Sequence, residues 1–304
     1  MGDRTFRWLT ASCAGIVLLL IVGFFIRLVL SSRLSLGQFG WRFLVTSDWD
    51  PVSGRFGALS SLYGTLVSTA IAMVIAVPLS LVIALFLVEL APPALRRVTG
   101  TAIELLAAVP SIIFGMWGFF VFAPFMAKHV EPALGRSLGF LPLFHGPPMG
   151  IGMLTAGIVL AFMILPYISA VMRDVFQMVP AVVKESAYGM GATTWEVTRK
   201  ITMRYGVRGL VGACFLGLGR AVGETMAVTF VIGNNFDISA SLFAAGNSIA
   251  STLANEFTEA HDSTGLYLSS LVELGLILFV VSFILQVFAH LWLKSLTRKM
   301  GAGL

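Results

Sequence analysis

An all-α membrane bundle is the architecture expected of these 304 residues, on three observations. Hydrophobic residues make up 57% of the chain and charged residues only 12%, too few to cover a soluble globule of this length. The mean hydropathy is +0.91. Six apolar runs are each long enough to cross about 30 Å of hydrocarbon as a helix, the conformation that satisfies its own backbone in lipid.

The runs are Ala11–Leu30, Thr65–Val88, Leu105–Met126, Met149–Met172, Gly209–Gly233 and Gly265–Leu293, and together they predict one transmembrane domain over residues 1–304. The first follows Arg4 and Arg7 in the manner of a secretory signal. Its length and the poor cleavage sequence Ser31-Ser32-Arg33 favour an uncleaved span. Pro78, Pro110 and Pro166 fall inside three runs and read as kinks, because neighbouring helices can satisfy the carbonyls they free. Between the first two runs, Trp41 and Trp49 suit the membrane interface. Stretches Lys128–Pro148 and Asn234–Thr264 read as loops on that same side, with His129, His145 and His261 in them.

Between the fourth and fifth runs lies a polar island, Arg173–Arg208, with six basic residues. It is too long and too patterned for a plain connector. Pro180 suits a first helical turn, and Val182, Val183, Ser186, Ala187 and Met190 recur at helical spacing, beside Lys184 and Glu185. Gly191 suits a left-handed cap, and Thr193 with Glu196 forms a capping box for a second helix through Trp195 to Ile201. A helix–turn–helix outside the bilayer is expected, with small residues where a partner could seat.

Orientation follows from the basic residues, which concentrate on the cytoplasmic side of a membrane. With a cytoplasmic N-terminus, that side holds Arg4, Arg7, Arg96, Arg97, the island, Lys294, Arg298 and Lys299. The other side holds Arg27, Arg33, Arg42, Arg55, Lys128 and Arg136, and Asn234–Thr264 is acidic. Both termini and the island are therefore expected to be cytoplasmic. The net charge of +5 needs no nucleic acid to explain it, because the basic residues form no continuous face.

Arg220 and Glu224 sit deep in the fifth run, where each charge costs about 2.5–3.5 kcal/mol on insertion scales. Their spacing of four puts them on one helix face, within pairing distance. A buried ion pair that fixes packing and a cationic point on an anion path both satisfy that spacing. Gly219-x-x-x-Gly223, continued by Ala227, permits close helix approach. Glu89 and Glu104 flank the Arg96–Arg97 turn and suit pairing at the cytoplasmic interface, while Glu273 has no evident partner. Cys13 and Cys214 lie within apolar runs, and no metal-ligand spacing, phosphate-binding loop or catalytic pair occurs. Neither a metal nor a cofactor is expected, and any ATP chemistry belongs to another chain.

Glu185-x-Ala187, Gly191 and Ile201 resemble the EAA signature of ABC importer permeases, with Ser186 for its middle alanine and Met203-Arg204 where the family has Leu-Pro. GTLVSTAIAMVIAVPLSLVIALFLVELAP (Gly64–Pro92), ELLAAVPSIIFGMWG (Glu104–Gly118) and GLGRAVGETMAVTFVIGN (from Gly217) are similar to the PstC-type permeases of bacterial high-affinity phosphate ABC importers. The resemblance implies a six-transmembrane-helix ABC type I permease bundle in the bacterial inner membrane, with 173–208 as its cytoplasmic coupling loop. It implies Arg220 and Glu224 on the substrate pathway and Glu185, Ser186, Ala187, Gly191 and Ile201 against an ATPase. It further implies a PstA-type companion permease, an ATPase dimer and an external phosphate-binding protein. A permease for another oxyanion, an ATP-independent channel and a membrane enzyme are the alternatives.

Overall fold

The computed structural model describes the backbone of residues 2–260 and 264–301, with side chains through Ser295. His261, Asp262 and the Arg298 and Lys299 side chains lie outside the described residues. The chain runs α1 (Gly2–Ser31), α2 (Arg33–Phe39), α3 (Arg42–Val45), α4 (Leu59–Leu90), α5 (Pro93–Ala107), α6 (Ser111–Leu138), α7 (Met153–Gln177), α8 (Ala181–Gly189), α9 (194–222), α10 (Met226–Val231), α11 (Ile249–Glu256) and α12 (Leu266–Gly301). Among the described residues, five helices are long and apolar enough to cross a membrane: α1, α4, α6, α7 and α12.

The fifth expected span, Gly209–Gly233, is not one helix. It is divided at Gly223–Thr225 between α9 and α10. The third begins later than expected. Pro110 has extended backbone ahead of α6 instead of kinking a span, and Leu105 belongs to the amphipathic α5. At its other end α6 continues to Leu138, past the apolar run, and the buried Glu131 within it accepts the Gly150 N–H at 2.8 Å. Pro78 and Pro166 lie inside α4 and α7 as expected.

The core forms where α4 lies along α7. Ala72, Ala76 and Ala84 meet Leu160, Ile164 and Ile168, and small residues bring the two backbones close. The Ser80 hydroxyl donates to the Leu165 carbonyl across that contact at 3.1 Å. Around this pair, α9 packs on α7 and α12, while α1 touches α12 through Phe24 and Phe25 against Phe279.

The segment after α10 is more than an outer loop. It turns back so that Asn247, Ser248, Ser251 and Thr252 are buried against α4. Ser248 caps α11, the Ile249 N–H donates to Thr65 Oγ1 at 2.9 Å, and the Ser61 and Thr252 hydroxyls bond at 2.9 Å. Gly64 faces the Asn247 carbonyl so closely that a Cβ there would overlap it. Above this patch, Trp49 stacks on Phe236 and meets Phe56 edge-on, so it serves an aromatic cluster and only Trp41 is left freely exposed. Glu273, 3% exposed, sits beneath with the Ser35 hydroxyl beside it and one carboxyl oxygen without a partner.

Overpacking a tight contact costs about 1–3 kcal/mol. Gly64→Val is therefore expected to lower the melting temperature in detergent and to open the segment around 233–252 to protease. Ala70→Val, exposed on the same helix, should do neither.

Candidate functional site

The polar segment 173–208 is built by local signals. Pro180 has extended backbone and starts α8, and its missing N–H costs nothing at a helix start. Gly191 adopts φ +85°, the left-handed conformation that ends a helix cheaply in glycine, and its N–H donates to the Tyr188 carbonyl at 2.9 Å. The Thr193 hydroxyl accepts the Glu196 N–H at 3.3 Å, and Glu196 Oε2 accepts the Thr193 N–H at 3.1 Å, closing the capping box. That backbone N–H, followed by Lys200, holds the Glu196 carboxyl below its usual range.

The second helix does not stop near Ile201. It passes through a π turn, Thr198–Thr202, and continues as α9 to Val222, so Met203-Arg204 mark no break. Glu185, Ser186 and Gly191 are exposed, Ile201 is half-buried and Ala187 is buried. Ala187 thus seats α8 from within, and a partner would meet Glu185, Ser186 and Tyr188 instead.

Two carboxylates tie this layer to the spans, neither through the Arg96–Arg97 turn. Glu104 accepts from Arg173 at 2.6 Å, and Glu89 accepts from Lys184 at 2.7 Å. Arg96 donates instead to the Leu87 and Val88 carbonyls, which the end of α4 leaves without helical partners.

Arg220 and Glu224 are close in sequence but do not share a helix face. Helix α9 ends at Val222, Gly223 has φ −91° and ψ 3°, and the two side chains form no ion pair. Arg220 stands exposed in the last turn of α9, where a cation favours the helix dipole, and its guanidinium lies 5.7 Å from the Tyr167 ring centroid. The Glu224 carboxylate accepts the Ala227 N–H at 3.2 Å, capping α10. Gly219 does allow close approach, beside Gln286 of α12, but the break at Gly223 ends the small-residue ridge there. Tyr167 and the break itself had no sequence signal beyond the glycine. Irregular backbone at membrane depth persists only where protein or a water-filled cavity covers it.

The family model described as "Binding-protein-dependent transport system inner membrane component" matches residues 76–299. The chain belongs to this family. The permease is 52% identical over 303 residues to the "Phosphate transport system permease protein PstC" of Pasteurella multocida, covering 98% of this chain and 94% of that protein. It is 51% identical over 306 residues to the protein of that name from Mesorhizobium japonicum, covering 99% and 93%. Its fold is that of a bacterial ABC transporter that imports alginate (TM-score 0.65, 15% identity, 97% of this chain and 98% of that one). The inward-facing MetNI methionine transporter gives a TM-score of 0.54 at 19% identity, over 80% and 94%.

The expected all-α type I permease architecture is thereby borne out. As a multi-pass permease of an ABC importer, it is a transport subunit and works with a separate ATPase and a substrate-binding protein.

Breaking a buried ion pair costs about 3–5 kcal/mol, whereas an exposed arginine over one ring contributes about 1 kcal/mol or less. Arg220→Met is therefore expected to leave the permease's melting temperature within a few degrees of wild type. A large drop would restore the packing-pair role for Arg220 and Glu224.

Proposed function

We propose that this permease forms half of the translocation pathway of an ATP-driven importer of inorganic phosphate, the other half being a PstA-type permease. The observation that carries the reading is Arg220, an exposed guanidinium at the end of an interrupted span. A guanidinium is planar, always charged and suited to two-pronged contact with phosphate oxygens. An interruption in the span leaves polar backbone for a hydrated path rather than for lipid. Relatives named as phosphate transport permeases match nearly the whole chain, which supports phosphate as the anion.

In this reading Arg220 meets the anion, Tyr167 steadies the guanidinium, and Glu224 shapes the break by capping α10. The divided stretch 209–231 crosses the membrane as the fifth span in chain order. Both termini and the coupling loop 173–208 are cytoplasmic, and α8 with the turn at Gly191 seats on an ATPase dimer. An external phosphate-binding protein delivers the substrate on the opposite side.

Phosphate uptake into proteoliposomes tests this. The permease, purified with its associated chains, should take up phosphate only with ATP and binding protein present. Arg220→Met should abolish uptake at unchanged subunit levels, and Arg220→Lys should recover it only in part. Uptake of another oxyanion in place of phosphate, or ATP-independent flux through the permease alone, would refute the assignment.

Topology and coupling have their own readouts. A cysteine at Val52, 98% exposed, should react with an impermeant reagent outside sealed cells, and one at Thr194 should not. A cysteine at Ser186 should cross-link to the ATPase. Gly191→Val should reduce ATPase recovery while the permease still inserts, because a β-branched residue is strongly disfavoured at positive φ.

A further inference from the structure

Helix α8 is nine residues long, and of these only Ala187 is buried. The residues on either side, 178–180 and 190–193, are not helical. Apolar packing therefore holds α8 weakly, yet a coupling element must pass its displacement to the spans.

The connection is concentrated at one oxygen. Glu89 Oε1 accepts from Lys184 Nζ of α8 at 2.7 Å and from Thr202 Oγ1 of α9 at 2.9 Å. The Glu89 side chain is 8% exposed, so little water competes for it. The backbone just before it is held as well, because Arg96 donates to the Leu87 and Val88 carbonyls at 2.7 and 2.6 Å. Glu89 and Thr202 both stand in π turns, Phe86–Leu90 and Thr198–Thr202, a rare geometry that concentrates at functional positions. A carboxylate of α4 that is held from both α8 and α9 resists sliding in a way that an apolar contact does not.

We propose that Glu89 is the positioning residue that fastens the coupling segment to the inner end of α4, so that movement of α8 is delivered to that span. The proposal rests on α8 as the ATPase contact. Without Glu89, α8 moves with the ATPase while its flanking turns absorb the motion, and hydrolysis is uncoupled from transport.

The test uses the complex purified with its associated chains and reconstituted in liposomes, with inorganic phosphate and ATP as probes. Glu89→Gln and Lys184→Met are compared with wild type for ATPase recovery, melting temperature, ATP hydrolysed and phosphate taken up. Both variants should retain the ATPase and continue hydrolysis, while phosphate taken up per ATP falls by about fivefold or more, the lower range of inter-site coupling. The exchange of Glu89→Lys with Lys184→Glu should restore part of that ratio, since Thr202 can accept from a lysine as well as donate to a carboxylate.

An unchanged ratio in both single variants would overturn the proposal. So would a fall in hydrolysis and uptake in proportion, accompanied by a lower melting temperature, which is the mark of a purely structural contact. An exchange that restores nothing would also overturn it. Failure of the underlying reading looks different: the ATPase would not cross-link to a cysteine at Ser186 whatever residue stands at 89.

Discussion

A peptide group in hydrocarbon has no water to bond, and this constraint governs where the chain is regular and where it is not. Helices α1, α4, α7 and α12 satisfy it by running through the apolar layer without interruption. At the end of α4, orphan carbonyls are taken up by Arg96 rather than left to lipid. The stretch expected to be a span, 209–233, is instead divided at Gly223–Thr225, next to the exposed Arg220. A break and a charge are each costly in lipid. On the proposed hydrated path both costs would fall together.

The half of the bundle away from residues 173–208 obeys the same constraint through hydroxyls. The segment that returns after α10 is rich in serine, threonine and asparagine, and its polar atoms are matched by Ser61 and Thr65 of α4. Close approach at Gly64 makes those bonds short enough to form. The returning segment thereby packs against α4 and closes that end of the bundle. Rigid α4–α7 packing supplies the frame against which both halves of the broken span are held.

On the opposite face the helices are joined by charge. Arg173 with Glu104, and Lys184 with Glu89, link α7 to α5 and α8 to α4. Surface pairs of this kind contribute little when fully wet, so the half-buried pair at Glu89 matters more than the exposed Lys200–Glu196 pair. The helix–turn–helix of 180–196 is thus a local structure, shaped by Pro180, Gly191 and the Thr193 box. It is attached to the bundle at a small number of directed contacts.

What the sequence by itself determined was everything set by composition and short range. Apolar length marked five of the six expected spans, and the Pro180, Gly191 and Thr193–Glu196 signals placed the helix–turn–helix within a residue or two. Tertiary structure decided what depends on partners distant in the chain. Arg220 and Glu224 looked like a pair because a spacing of four assumes an unbroken helix, and no local rule required α9 to stop at Val222. Ala187 looked available to a partner, yet packing turned it inward. Asn247–Thr252 looked like an exposed loop because its residues are polar, and only the hydroxyls of α4 make their burial affordable. Glu89 likewise shows its role only beside Lys184 and Thr202, 95 and 113 residues away. Periodicity reports which face of a helix is apolar, but the choice of partner for a buried polar group is made by the three-dimensional packing that brings the two together.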